Sequence, residues 1–154
     1  MGVRILFLED DAGIRNWTAE RLKECGYDVI GFSRVDQAEE YFCEHKNEID
    51  CLIVDLIMNE QWLSKIQNES SGGFFTGLAW LESSVYIEKP NMPTIIYSAA
   101  VNLLDEWSNE NNKTTLLQKC NIAYVDKKYG DNAGFGGLLK AIQKILSNIR
   151  DNDY

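Results

Sequence analysis

The chain has 154 residues, enough to bury one substantial core as a single domain. Its 24 acidic against 15 basic side chains give a formal net charge of −9, which argues against gripping nucleic acid through the phosphate backbone and points to protein partners. No long apolar segment is present and residues 1–4 lead straight into an apolar run, so neither a membrane span nor a signal peptide is expected and a soluble, cytoplasmic protein is.

Residues 3–8 read as a strand buried on both faces, ending in Glu9-Asp10. Residues 11–25 follow as a helix with Ile14, Trp17, Ala19 and Leu22 on its apolar side, stopped by Gly26. Residues 27–32 are a second strand. Ser33 is placed to cap a helix over 35–45 that turns Ala38, Tyr41 and Phe42 inward. The third strand, over 50–54, ends on Asp55. A later helix starts near Thr76 or Gly77 and carries Leu78, Leu81 and Val85; Pro90 and Pro93 then bracket a turn into the strand Thr94-Ile95-Ile96-Tyr97, which stops at Ser98. A helical segment beginning near Asn102 should break at the polar cluster of residues 109–112. A fifth strand, Ile122-Ala123-Tyr124-Val125-Asp126, meets Lys127, and the last helix runs over about 135–149 on Leu138, Leu139, Ile142, Ile145 and Leu146.

Apolar strands separated by helix-length segments indicate a parallel sheet covered by helices, an α/β fold. In such an open sheet the carboxyl ends of the strands share one edge, where ligands bind. Glu9, Asp10, Asp55, Ser98 and Lys127 are therefore expected to meet there, and together they suit an aspartyl-phosphate site. Asp55 is the candidate nucleophile. Magnesium prefers oxygen ligands and takes only one or two carboxylates directly. Asp10 and Asp55 suit that coordination, with Glu9 acting through water and the Ile57 backbone carbonyl supplying another oxygen. Ser98 is placed to hydrogen-bond a phosphoryl group and Lys127 to neutralise it. Crowding of the acids should raise at least one carboxyl pKa, partly countered by Lys127.

The segments Ile5-Leu6-Phe7-Leu8-Glu9-Asp10-Asp11, Leu52-Ile53-Val54-Asp55-Leu56-Ile57-Met58, Pro93-Thr94-Ile95-Ile96-Tyr97-Ser98-Ala99 and Tyr124-Val125-Asp126-Lys127 closely resemble the receiver domain of two-component response regulators, in the family's order and over nearly the whole chain. The resemblance implies a flavodoxin-like doubly wound sheet of order 2-1-3-4-5 with helices on both faces. It also implies that Asp55 is the phosphoacceptor, Glu9 and Asp10 the metal-site acids, Ser98 the switch hydroxyl, Lys127 the phosphate-contacting lysine and Tyr124 the aromatic that moves inward on activation. The expected partners are a histidine kinase or histidine phosphotransfer protein and a downstream protein target. A signalling switch is implied rather than an enzyme, and a stand-alone receiver without an output domain.

Three departures stand out. Gly77, the glycine expected to open the next helix soon after the nucleophile, comes only after an insertion at about 59–75, in which Trp62, Leu63 and Ile66 mark one apolar side and Ser70-Ser71-Gly72-Gly73 a flexible stretch. Read as a surface excursion it carries no function; read as a lid or docking element it makes Trp62 the residue to watch. Lys128 stands where the family commonly has proline, so a trans Lys127–Lys128 peptide is expected. Glu9 replaces the usual aspartate, and Ser98 is the smaller hydroxyl option.

Other features favour plain structural roles. The four cysteines, Cys25, Cys43, Cys51 and Cys120, show no C-x-x-C pair and read as reduced thiols. The single histidine, His45, reads as a solvated surface side chain. Gly130, Gly134, Gly136 and Gly137 match no phosphate-binding spacing. Trp107 and Tyr129 divide between core packing and exposure on a partner-facing surface. A phosphorylation-independent receiver-like binding module would share the fold. A haloacid-dehalogenase-like phosphatase would need a second aspartate where Ile57 stands.

Overall fold

The computed structural model describes residues 2–56, 76–104, 121–128 and 132–152. Five strands form one parallel sheet in the order β2-β1-β3-β4-β5. They are β1 (Arg4–Leu8), β2 (Asp28–Phe32), β3 (Cys51–Val54), β4 (Thr94–Ser98) and β5 (Ile122–Asp126). The strand alternation divides the core into two layers. Leu6, Leu8, Leu52, Val54 and Ile96 face one side, against α2 (Val35–His45) and α3 (Thr76–Trp80). Ile5, Phe7, Ile53, Ile95 and Tyr97 face the other, against α1 (Ala12–Glu24) and the long C-terminal helix, Phe135–Asn152. Each fully buried side chain of this kind contributes about 1.5–3 kcal/mol relative to leaving it exposed.

Local chemistry sets the helix ends. Asp11 caps α1 by accepting from the Ile14 N–H at 2.9 Å, rather than lying inside the helix, and Gly26 leaves it at φ 95°. The cap of α2 departs from expectation. Arg34 holds the N-cap position instead of Ser33, with no side-chain capping bond, and its guanidinium folds onto Asp36 of the first turn at 2.8 Å. The charge of Asp36 beside the helix N-terminus serves in place of a capping hydroxyl. His45, expected in solvent, is half-buried: its ring stacks on Tyr41 with centroids 4.3 Å apart and meets Glu48 at 3.1 Å. The last helix also runs past residue 149 to Asn152.

The helix predicted near residue 76 is composite. After α3 a π-helical turn (Leu81–Val85) leads into α4 (Tyr86–Glu88). Ser83 bonds back to the Ala79 carbonyl at 2.6 Å, a competition that loosens the regular ladder. Glu39 on α2 accepts from the Trp80 indole at 2.5 Å and from the Ser84 hydroxyl, while Lys46 pairs with Glu88 at 2.8 Å. These contacts clamp α2 to the π-interrupted helix. Beyond β4 a short 3-10 turn (Val101–Leu103) follows, and the long C-terminal helix is α5.

No cis peptide occurs among the described residues, so Lys127–Lys128 is trans as expected. Cys25 and Cys43 are exposed free thiols and Cys51 a buried one. No described helix is long and apolar enough to cross a membrane. The insertion with Trp62, the break near residues 109–112, Trp107, Cys120, Tyr129 and Gly130 lie outside the described residues.

Gly77 is required by close approach. Its N–H donates to the Leu56 carbonyl at 3.2 Å, and a Cβ there would stand 2.0 Å from the Asp55 carbonyl oxygen and 2.7 Å from Val54. Relief would have to move backbone. Gly77→Ala is therefore expected to destabilise the fold by about 1–3 kcal/mol in urea unfolding. A midpoint unchanged from wild type would refute the close packing.

Candidate functional site

The sheet's hydrogen-bond ladder continues one residue beyond the strands and holds the site by its backbone. Glu9 N–H bonds the Phe32 carbonyl at 3.0 Å, Asp55 N–H the Leu8 carbonyl at 3.1 Å, and Lys127 N–H the Ser98 carbonyl at 3.2 Å. Residues far apart in sequence thus share one rim. Glu9, Asp10, Asp55, Ser98, Ala100 and Lys127 line a cavity of about 310 Å³ there. A larger cavity of about 920 Å³ lies at the opposite edge of the sheet, around Val3, Asp50, Pro93 and Asn121. The chemistry is at the smaller one: Glu9, Asp10 and Asp55 each bring a carboxylate oxygen within 4.8 Å of the others, the metal-competent cluster among the described residues.

Charge is packed tightly here. The Lys127 ammonium donates to Asp55 Oδ2 at 2.9 Å and to Glu9 Oε2, with its side chain 8% exposed and that of Glu9 1%. The other Glu9 oxygen accepts from the Asp11 N–H at 3.2 Å. Both Glu9 oxygens therefore have protein donors, which fits a role one step removed from an ion. Arg15 braces the acidic pair from behind, with its guanidinium on the Glu9 carbonyl at 2.8 Å. Ser98 is fully buried, and its hydroxyl accepts from the Ala100 N–H at 3.2 Å.

The expected pKa rise falls on Glu9. Burial, more than repulsion, pushes its carboxyl up to about 7; the Asp55 charge adds to the rise, and the Lys127 charge and hydrogen bond offset part of it. Lys127 is raised as well: burial works against its charge, but Asp55 and Glu9 outweigh that cost.

The structure brings together Glu9, Asp10, Asp55, Ser98 and Lys127. It does not bring Tyr124 into the cavity; that residue sits on β5, 36% exposed. The Ile57 carbonyl lies outside the described residues. The donor set suits magnesium: carboxylate oxygens only, from three acids of which two at most need bind directly, beside an open cavity with room for water. Arg15 was missed by sequence reasoning. It comes four positions, about one helical turn, after Asp11, which directly follows the acidic pair, a spacing that could have pointed to it.

Comparison with solved structures gives the fold its place. The response regulator receiver domain from Clostridium thermocellum superposes with a TM-score of 0.68 at 19% identity, covering 96% of this chain and 97% of that one. The non-phosphorylated HemR receiver domain from Leptospira biflexa gives 0.68 at 19%, over 94% of each chain. The CheY-like receiver domain protein from Methanospirillum hungatei gives 0.67 at 17%, over 99% of each. No family model and no curated protein matches the sequence. The likeness is one of fold: the chain has the five-stranded receiver architecture.

Because folding raises the Glu9 pKa from 4.5 to about 7, the metal-free folded state holds that proton more tightly than the unfolded chain does. The stability this proton contributes is fully present below the unfolded value and is lost as pH rises through the folded one. A cation competes with the same proton. Magnesium is expected to raise the melting temperature more at about pH 8 than at about pH 5.5, and Glu9→Gln to flatten that difference. An equal rise at both pH values would show that Glu9 does not titrate against the ion.

Proposed function

We propose that this chain is a phosphoacceptor receiver that takes a phosphoryl group on Asp55 in the presence of magnesium and signals by a conformational switch to protein partners. The observation that carries this reading is the placement of Asp55 at the carboxyl end of central strand β3. It lies within hydrogen-bonding reach of Lys127 and in one carboxylate cluster with Glu9 and Asp10.

Asp10 and Asp55 would hold the ion directly, with Glu9 behind them. A bound magnesium ion supplies positive charge for the phosphoryl oxygens and helps align them. A carboxylate oxygen of Asp55 attacks the phosphorus of a partner's phosphohistidine. The P–N bond breaks, its electron pair returns to the imidazole, and that ring takes a proton from solvent. Lys127, already on Asp55, neutralises the new acyl phosphate. Ser98 turns its hydroxyl from the Ala100 N–H to a phosphoryl oxygen, and the space it leaves is open to Tyr124, which starts from an exposed position. The donor is a histidine kinase, a histidine phosphotransfer protein or a small phosphodonor such as acetyl phosphate. The protein assists its own phosphorylation but serves as a switch rather than an enzyme, and cytoplasmic signalling fits that role.

Neither Ile57, two positions after Asp55 in the sequence, nor Ala100, which lines the cavity, carries a side chain that can polarise water, so the phosphoryl group is expected to persist. Incubation with magnesium and acetyl phosphate should add one phosphoryl mass to the intact protein and none to Asp55→Asn. Loss of the group within seconds of donor removal would contradict persistence. A wild type that takes up no phosphoryl from acetyl phosphate or a kinase would favour a phosphorylation-independent binding module.

A further inference from the structure

Tyr97 precedes Ser98 on β4 and, by strand alternation, faces the opposite side of the sheet, fully buried beside Phe7 with ring centroids 6.3 Å apart. The Lys127 ammonium lies over the face of its ring, 4.9 Å from the centroid. That ammonium already donates to Glu9 and Asp55, so the ring presents its negative face to another side of the charge. At the far end of the ring, the Tyr97 hydroxyl donates to the Ala133 carbonyl at 2.5 Å, across 36 positions of sequence. The buried Thr18 hydroxyl approaches the same oxygen without a well-formed bond. Ala133 belongs to a turn in which Asn132, Ala133 and Gly134 have φ of 55°, 54° and 71°. Two successive non-glycine residues in the left-handed region persist only where surrounding contacts hold them. The turn opens α5, whose first residue, Phe135, packs edge-on against Trp17 at 5.4 Å.

We propose that Tyr97 is a positioning residue whose ring fixes the Lys127 ammonium between Glu9 and Asp55, and whose hydroxyl anchors that ring to the left-handed turn opening α5. The proposal rests on Asp55 as phosphoacceptor and names what keeps its lysine in place. An ammonium held only by two carboxylates swings when either of them is phosphorylated or binds a cation. The ring face is a contact that survives both events, so Lys127 stays beside Asp55 as the acyl phosphate forms. Phenylalanine keeps the ring and loses the anchor. Leucine loses both.

The test uses the full chain as wild type, Tyr97→Phe and Tyr97→Leu. At saturating acetyl phosphate and magnesium, Tyr97→Leu is expected to slow phosphorylation roughly fivefold, while Tyr97→Phe stays within about twofold of wild type. Amide exchange across residues 133–138 is expected to quicken roughly tenfold in Tyr97→Phe, as one hydrogen bond is lost. A folded leucine variant as fast as wild type, or a phenylalanine variant as slow as leucine, overturns the proposal. A readout free of phosphoryl transfer separates its failure from that of the phosphoacceptor reading. In unmodified wild type the Lys127 ε-methylene protons, assigned by their loss in Lys127→Arg, should resonate upfield of the other lysines because of the ring beneath them. An ordinary lysine position overturns the proposal even if Asp55 is phosphorylated; an upfield position supports it even if the protein ignores every phosphodonor.

Discussion

One ammonium shared by two carboxylates in a nearly dry rim is the constraint on which the rest of the site depends. Removing ions from water costs several kcal/mol each even after relaxation, so Lys127, Glu9 and Asp55 are tolerable only as a mutually bonded group. The group is not neutral. Glu9, Asp10 and Asp55 set three acids against one lysine, leaving two formal negative charges when all are ionised. Burial first and that excess second favour a proton on Glu9, whose carboxyl is pushed up to about 7, and a divalent cation in the cavity would offset the same excess. A cation and a proton thus compete for one buried, acid-rich rim.

The sheet supplies the precision this arrangement needs. Glu9, Asp55 and Lys127 each sit one residue past a strand, with their backbone N–H bonded to the neighbouring strand, so the rim cannot loosen without breaking the ladder. Behind that ladder both faces are packed with fully buried aliphatic and aromatic side chains. The helices contribute by what they permit at close range. Gly77 lets the 76–88 helical run touch the Asp55 backbone, and the Glu39 contacts with Trp80 and Ser84 hold that run against α2. A charged cluster placed on loops alone would carry the same chemistry with less exact geometry.

Where sequence and structure agree, the signal was local and strong. The apolar runs located all five strands, and the residues ending four of them are the ones that meet. Helix α2 spans the residues its periodicity predicted, because Ala38 and Phe42 recur at helical spacing on a buried face. Where they part, the deciding interaction was tertiary. Nothing in Leu81-Glu82-Ser83-Ser84-Val85 announces a π turn; it accompanies the clamp to Glu39, a residue more than forty positions away. Ser33 has the chemistry of a cap, yet Arg34 takes the position, paired with Asp36. Tyr97 is indistinguishable from a core residue until Lys127 is seen over its ring and Ala133 at its hydroxyl. The repulsion expected among the acids was read correctly in sign, but burial, which the sequence expresses only through neighbouring strands, is the larger cause.

The same geometry explains how residues can be added directly after Asp55 without displacing it. Entropy charges a flexible connection only logarithmically, about 0.6 kcal/mol for each doubling of length, provided its ends are already held together. They are: the Gly77 N–H bonds the Leu56 carbonyl, joining the described residues on either side of positions 57–75, and the ladder bond at Asp55 fixes the end of β3. The Asp55 N–H is held by β1 and its carbonyl packs against Gly77, so both of these backbone contacts lie outside positions 57–75. An insertion one residue into β3 would instead slip its register, turning the Leu52 and Val54 face toward α1 and carrying Asp55 off the rim. The place just past Asp55 is therefore one where new sequence can be tested against the site at little cost to the fold.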